Sequence, residues 1–150
     1  MGNIVCPLVQ CAHLDGGRRC ETFTPFGQLC MPHSISDLGL SLLRSRIPGT
    51  MFGLRAAKVF EAGEHVAWYS GIVVERSRSH PNRDWLVWIC STRVLDTRRS
   101  DEPGLARWVN SSRGTGLPSN VRIVTCARTN SVRLVASSRI VVGEEILADY

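Results

Sequence analysis

Lysine is almost missing from this chain. Lys58 stands alone against 17 arginines. No apolar run approaches the roughly 18 residues of a membrane-spanning helix. The start, Met1 to Cys6, carries no charged region followed by an apolar core. It is therefore not read as a secretory signal, and an intracellular protein with no membrane partner is expected. Repeats and low-complexity tracts are absent too. With 43% hydrophobic and 21% charged residues, the composition excludes wholesale disorder. At 150 residues the chain suits one domain with a small appendage. The net charge is +5, which favours anionic neighbours only weakly. Arg18-Arg19 and Arg98-Arg99 are the only adjacent basic pairs, and no aromatics interleave with them. A nucleic-acid adaptor is therefore a minor reading.

The cysteines are unevenly placed. Cys6, Cys11, Cys20 and Cys30 crowd the first 30 residues, with His13 and His33 among them. Cys90 and Cys126 sit in apolar runs and read as small buried hydrophobes. Without a secretory signal, metal binding gains over disulfides for the N-terminal group. Cys11, Cys20, Cys30 and His33 supply three thiolates and one imidazole, a closed tetrahedral set for structural zinc. Cys6 or His13 could replace Cys11. Gly16-Gly17 and Gly27 supply the turns. A segment this short cannot build a core, so zinc would supply its folding energy, on the order of 10–16 kcal/mol. The stretch resembles short zinc fingers with three cysteine ligands and one histidine.

Beyond it, Ser36-Asp37 could cap a short helix through Leu38, Leu40, Leu42 and Leu43. From Phe52 onward the pattern becomes short β-branched and aromatic runs between turn residues. Strands are expected near Leu54–Val59, His65–Tyr69, Ile72–Arg76, Asp84–Ile89, Val121–Cys126, Ser131–Ala136 and Glu145–Ala148. Thr97–Leu105 and Ser111–Asn120 read as loops. The fold class is mainly β with short helices.

Three segments carry chemistry. Phe52-Gly53-Leu54 opens a hairpin that turns at Ala62-Gly63-Glu64 and ends at Trp68-Tyr69-Ser70-Gly71. Ala106-Arg107-Trp108-Val109-Asn110-Ser111-Ser112 precedes a Gly-rich loop and Pro118-Ser119-Asn120. Ile140 to Tyr150 holds a second turn, Gly143-Glu144-Glu145, into a strand that ends at Asp149-Tyr150. In this order the three resemble the SET-domain protein-lysine methyltransferases, over about 100 residues from Ile47 to Tyr150.

The resemblance implies a β-fold with a C-terminal pseudoknot, preceded by the small zinc-stabilised segment. The expected division is a zinc finger over 1–34, a linker or short helix over 35–46, and a SET domain over 47–150. The implied cofactor is S-adenosylmethionine, held by Met51, Phe52, Gly53 and Leu54 through backbone groups and by Asn110 and Ser111. Tyr69 and Tyr150 would line the channel that admits a lysine, as the catalytic residues. The implied partner is a protein that presents a lysine. A histone tail is the family-level expectation, and with it a nuclear, chromatin location. Asp101, Glu102, Glu144 and Glu145 are the acids available to dock a basic tail. With Tyr150 as last residue, the expectation is that either the domain is truncated or a partner or the finger completes the channel's cover.

The sequence also departs from the family pattern. Met51 stands for its first Gly, Ser111 for its His and Arg113 for its Cys. Those departures support an alternative, a SET-like module that has lost catalysis and binds a peptide or partner.

Overall fold

The computed structural model describes residues 8–24, 28–76, 85–98 and 104–150. Among them the chain is mainly β. Its longest hairpin joins β12 (Val121–Cys126) to β13 (Ser131–Ala136), antiparallel and in register from Val121·Ala136 to Cys126·Ser131. The turn between them holds Asn130 at φ 52°, a left-handed position that asparagine tolerates. β13 also pairs with β7 (His65–Trp68), which forms one edge of a five-stranded sheet. A second sheet runs β8 (Ile72–Glu75), β10 (Arg93–Asp96), β9 (Leu86–Trp88). β5 (Leu40–Arg44) and β6 (Phe52–Ala56) form a separate hairpin. The core between them buries Leu40, Leu54, Phe60, Leu134, Ile140 and Ile146 almost completely.

The helix expected through Leu43 does not form. A helical segment opens at Met31–His33 and widens to a π turn over Ser34–Leu38. Gly39 then takes φ 69° and ends it. A side chain at Gly39 would also collide with the Lys58 stem, 2.3 Å from an added Cβ. From Leu40 the chain is extended, with Leu40 and Leu42 inward and Leu43 outward. That is the period of a strand, which overrides the leucines' helical preference. β10 was also not anticipated. Cys90 and Cys126 are half-buried rather than buried. Each lies where its strand gives way to a turn, so neither side chain reaches the core.

Two turns share one design. Gly63 and Gly143 both adopt φ 87°. In each, the next glutamate folds back onto the start of its own turn. Glu64 Oε2 accepts the Glu61 N–H at 3.0 Å, and Glu144 Oε2 accepts the Val141 N–H at 2.7 Å. The residues ahead of the two turns, Phe60 and Ile140, bridge to each other antiparallel.

The C-terminal end is threaded. β14 (Leu147–Ala148) lies between β11 (Asn110–Ser111) and β12, parallel to both. The segment from Asn110 to Val121 leaves β14 on one side and returns on the other. Its ends are clamped to the strand it arches over. Ser112 N–H donates to Ala148 O at 2.9 Å. The Asn120 side chain donates to Glu145 O and accepts from Leu147 N–H, each at 2.9 Å. This is the pseudoknot the sequence resemblance implies.

Candidate functional site

The first cluster is cysteine and histidine. β1 (Val9–Gln10) pairs with β4 (Phe23–Thr24), and β2 (Leu14–Asp15) pairs with β3 (Arg18–Arg19) in a hairpin turning at Gly16-Gly17. These two strand pairs and the helical segment after Cys30 bring together Cys11, Cys20, Cys30 and His33. Their ligand atoms all lie within 4.8 Å of one another. Cys11 Sγ stands 3.4 Å and Cys30 Sγ 3.2 Å from His33 Nδ1. Ligands around a tetrahedral zinc ion stand about 3.5–3.8 Å apart, so the set fits that metal with small adjustments. The Cys30 N–H points at Cys11 Sγ, 3.3 Å away, and would stabilise a thiolate there. His13 is not in the set. Its ring stacks on His33 at 3.7 Å, and its Nδ1 meets Asp37 Oδ2 at 2.6 Å. Cys6 lies outside the described residues.

The second cluster forms where β7, β11 and the threaded C-terminus meet. Tyr69 follows β7, and its N–H is fixed to Val132 O at 2.9 Å. Tyr150 follows β14. Their hydroxyl oxygens are 2.9 Å apart. Tyr150 donates its proton to Val109 O at 2.9 Å. Tyr69 is therefore the donor to Tyr150, because a phenol has one proton to give. Burial pushes the Tyr69 phenol far above its ordinary value, and the neighbouring Tyr150 adds to this. Burial raises Tyr150 as well. Both stay neutral hydroxyls at any physiological pH. They line a cleft of about 430 Å³ with Trp85, Val87, Asn110 and Ser111.

A second cleft, of about 480 Å³, is lined by Arg44, Gly49, Thr50, Met51 and Phe52. Met51 is largely exposed there. Phe52 meets Trp108 edge to face, with centroids 6.0 Å apart. Leu54 is brought to neither cleft. Its side chain is in the core, and its carbonyl accepts the Ile146 N–H at 2.7 Å.

Between the clefts sits a carboxylate that the sequence reading treated as a surface acid. Glu145 is buried. Its Oε1 accepts from Ser45 Oγ at 2.6 Å and from Asn110 Nδ2 at 3.1 Å, and its Oε2 from the Arg46 N–H at 2.8 Å. Asn110 Nδ2 also donates to Phe52 O at 2.9 Å. Burial alone would push the Glu145 carboxyl up. The bonds from Ser45, Arg46 and Asn110, with the Arg55 charge, outweigh it and hold the group below the usual carboxylate range. Glu145 is thus no docking acid, while Glu144 is exposed and places its Oε2 on its own turn. Asp101 and Glu102 lie outside the described residues. Glu145 carried one sequence signal, its position one residue before the buried run Ile146-Leu147-Ala148.

Gly53 packs against this group. An added Cβ would stand 2.2 Å from Glu145 Oε1 and 3.1 Å from Asn110 Nδ2. The carboxylate is anchored at both oxygens and cannot swing away. Gly53→Ala is expected to cost about 1–3 kcal/mol, the usual penalty of forced overpacking, measured by urea unfolding. A cost under about 0.5 kcal/mol would mean that the Glu145 network yields.

The family model of the SET domain matches residues 51–150. The chain belongs to the SET-domain family. Solved structures agree on the SET fold. A humanized mutant of the Chaetomium thermophilum Polycomb Repressive Complex 2 bound to an inhibitor matches with a TM-score of 0.60 and 23% identity, over 74% of this chain. The structure of ctPRC2 in an autoinhibited conformation bound to S-adenosylmethionine gives 0.60 and 20%, over 75%. KRYPTONITE, in complex with mCHH DNA, an H3(1-15) peptide and SAH, gives 0.56 and 24%, over 74%. The chain spans only 14%, 15% and 23% of those chains' lengths. No curated protein matches it. Among the described residues, no helix of this SET protein is long and apolar enough to cross a membrane.

Proposed function

We propose that this SET protein transfers a methyl group from S-adenosylmethionine to a lysine side chain of a protein. The observation that carries the reading is the tyrosine pair at the 430 Å³ cleft, next to Asn110 and Ser111. Two neighbours were solved with S-adenosylmethionine or SAH, which supports the cofactor. When bound, the cofactor supplies an electrophilic methyl on a sulfonium.

The chain's own residues do the rest. Met51, Phe52 and Gly53 form one wall of the cofactor cradle, and Asn110 and Ser111 the other. Leu54 supports that wall from the core. Asn110 spends its Nδ2 on Phe52, Ser45 and Glu145, so it meets a ligand through its Oδ1 and backbone. The lysine must arrive as the free amine, since the ammonium, with a pKa of about 10.4, has no lone pair to give. Desolvation among Tyr69, Trp85 and Val87 disfavours the charged form. The Tyr150 oxygen already gives its proton to Val109 O and receives one from Tyr69. It keeps one lone pair, which takes an amine N–H and turns the amine's own lone pair inward. The rate gain is one of positioning and exclusion of water.

We assign residues 1–34 to a zinc segment that docks or scaffolds, and 47–150 to the SET domain. A histone tail is the proposed substrate, which places the protein in the nucleus. The structure of KRYPTONITE with an H3 peptide supports this by analogy of fold.

The test is mass spectrometry of core histones and lysine peptides incubated with the zinc-loaded chain and S-adenosylmethionine. Methyl groups gained on lysine are the expected result. Lys58, held by Glu64 at 2.9 Å, is the only site of self-modification to control for. A folded, zinc-loaded chain that binds the cofactor but modifies nothing would have been given the wrong substrate. One that binds no cofactor would be a peptide- or partner-binding module instead.

A further inference from the structure

We propose that Glu145 is a positioning residue, which fixes the cofactor cradle by clamping its two walls together. The inference rests on the cofactor reading above. One wall begins at Phe52, and the other carries Asn110. The turn at Ser45 and Arg46 leads from β5 toward the loop before Phe52. No backbone pairing joins Asn110 to that turn. Asn110 Nδ2 reaches Ser45 Oγ directly only at 3.3 Å, and the shorter links run through the carboxylate of Glu145, with Ser45 and Arg46 on one side and Asn110 on the other. Asn110 completes the clamp through its bond to Phe52 O.

The partners are chemically one-sided. The Ser45 hydroxyl, the Arg46 N–H and the Asn110 amide all act as donors to Glu145. Ser45 Oγ has little freedom to reverse, since it already accepts from the Ile47 N–H at 3.0 Å and from Asn110 Nδ2 at 3.3 Å. A carboxylate accepts on both oxygens. A glutamine of the same shape must put its NH₂ against a donor, whichever way it is turned. The Glu145→Gln change therefore keeps the volume and breaks the clamp. Gly53 shows the fit is tight, because even a methyl group there would meet Glu145.

The experiment is calorimetric titration of S-adenosylmethionine into the full zinc-loaded chain, as wild type, Glu145→Gln and Ser45→Ala. Glu145→Gln is expected to weaken binding about 10- to 100-fold, the worth of one charge-assisted hydrogen bond. Ser45→Ala is expected to weaken it about 3- to 10-fold, as a neutral donor. The KM for a peptide substrate at saturating cofactor should not move. In ¹H–¹⁵N spectra, the Asn110 side-chain amide should shift in both variants, a response that loss of global stability does not produce. Should Glu145→Gln fail to fold, Ser45→Ala decides the matter through the same two readouts. Unchanged cofactor affinity in a folded variant overturns the proposal, whether or not the Asn110 amide moves, while the methyltransferase reading stands. A wild-type chain that binds no cofactor removes that reading, and this proposal with it.

Discussion

If the proposed reaction holds, Tyr150→Phe is expected to lower lysine methylation by about a hundredfold, the usual cost of misplacing a reacting group, and to leave cofactor affinity unchanged. The ring stays, so the wall of the cleft stays. What goes is the one oxygen that holds both Val109 O and the Tyr69 hydroxyl. An incoming amine then loses the acceptor that turns its lone pair inward. Tyr69 loses its acceptor as well, so its proton becomes free to point at the amine and compete for that lone pair. The fold loses something too. Val109 is buried, so its carbonyl loses its donor with little water to replace it. The change in stability should be about 1–3 kcal/mol, the cost of an unsatisfied buried acceptor. The check is steady-state kinetics on a lysine peptide substrate, with thermal unfolding alongside. Equal rates in the two proteins would take Tyr150 out of the reaction and move attention to Tyr69. A large fall in Tm with no specific loss of rate would make Tyr150 a pseudoknot fastener only.

How much of this was legible in the residues differs from place to place. The Cys11, Cys20, Cys30 and His33 cluster was readable, with Cys6 and His13 left open as replacements for Cys11, because ligand chemistry leaves few choices and the glycines mark the turns. The strands after Ile47 were readable where side chains alternate, as in β12 and β13. β5 was missed because four leucines within six residues fit a helix and a strand alike. Gly39, whose conformation decides the matter, weighs little in a propensity sum. The threading could not follow from strand patterns, because β14 is two residues long and its parallel neighbours are far away in sequence. Asn120 was noticed only as part of a motif. In the fold its side chain acts as a piece of backbone, filling the place of a missing strand residue beside Leu147. Glu145 was the largest miss. Its burial depends on partners about a hundred residues earlier, Ser45 and Arg46, which no local window sees.

Removing zinc should unfold the first part of the chain and weaken the cofactor site while the body stays folded. The expected stoichiometry is one zinc per chain by atomic absorption. A strong chelator, or Cys30→Ser, should make residues 8–38 sensitive to protease. The segment's strands are two residues long and bury little, so a bound zinc would supply nearly all its folding energy, on the order of 10 kcal/mol. The body has its own core around Phe60, Leu134 and Ile146, and should keep a cooperative thermal transition. The effect on the cofactor follows from connectivity. The Ser34 hydroxyl donates to Leu40 O at 2.8 Å, and the Leu42 N–H meets Met31 Sδ at 3.4 Å. Both contacts tie the zinc segment to β5, which runs into Ser45 and Arg46 on Glu145. Loss of zinc thus loosens the clamp from its far end, and affinity should fall less than in Glu145→Gln, where the clamp itself is cut. His13→Ala removes the stacked ring but no ligand, so it should keep one zinc per chain. A chain that folds with no metal, or a His13 variant that loses it, would point to a different ligand set.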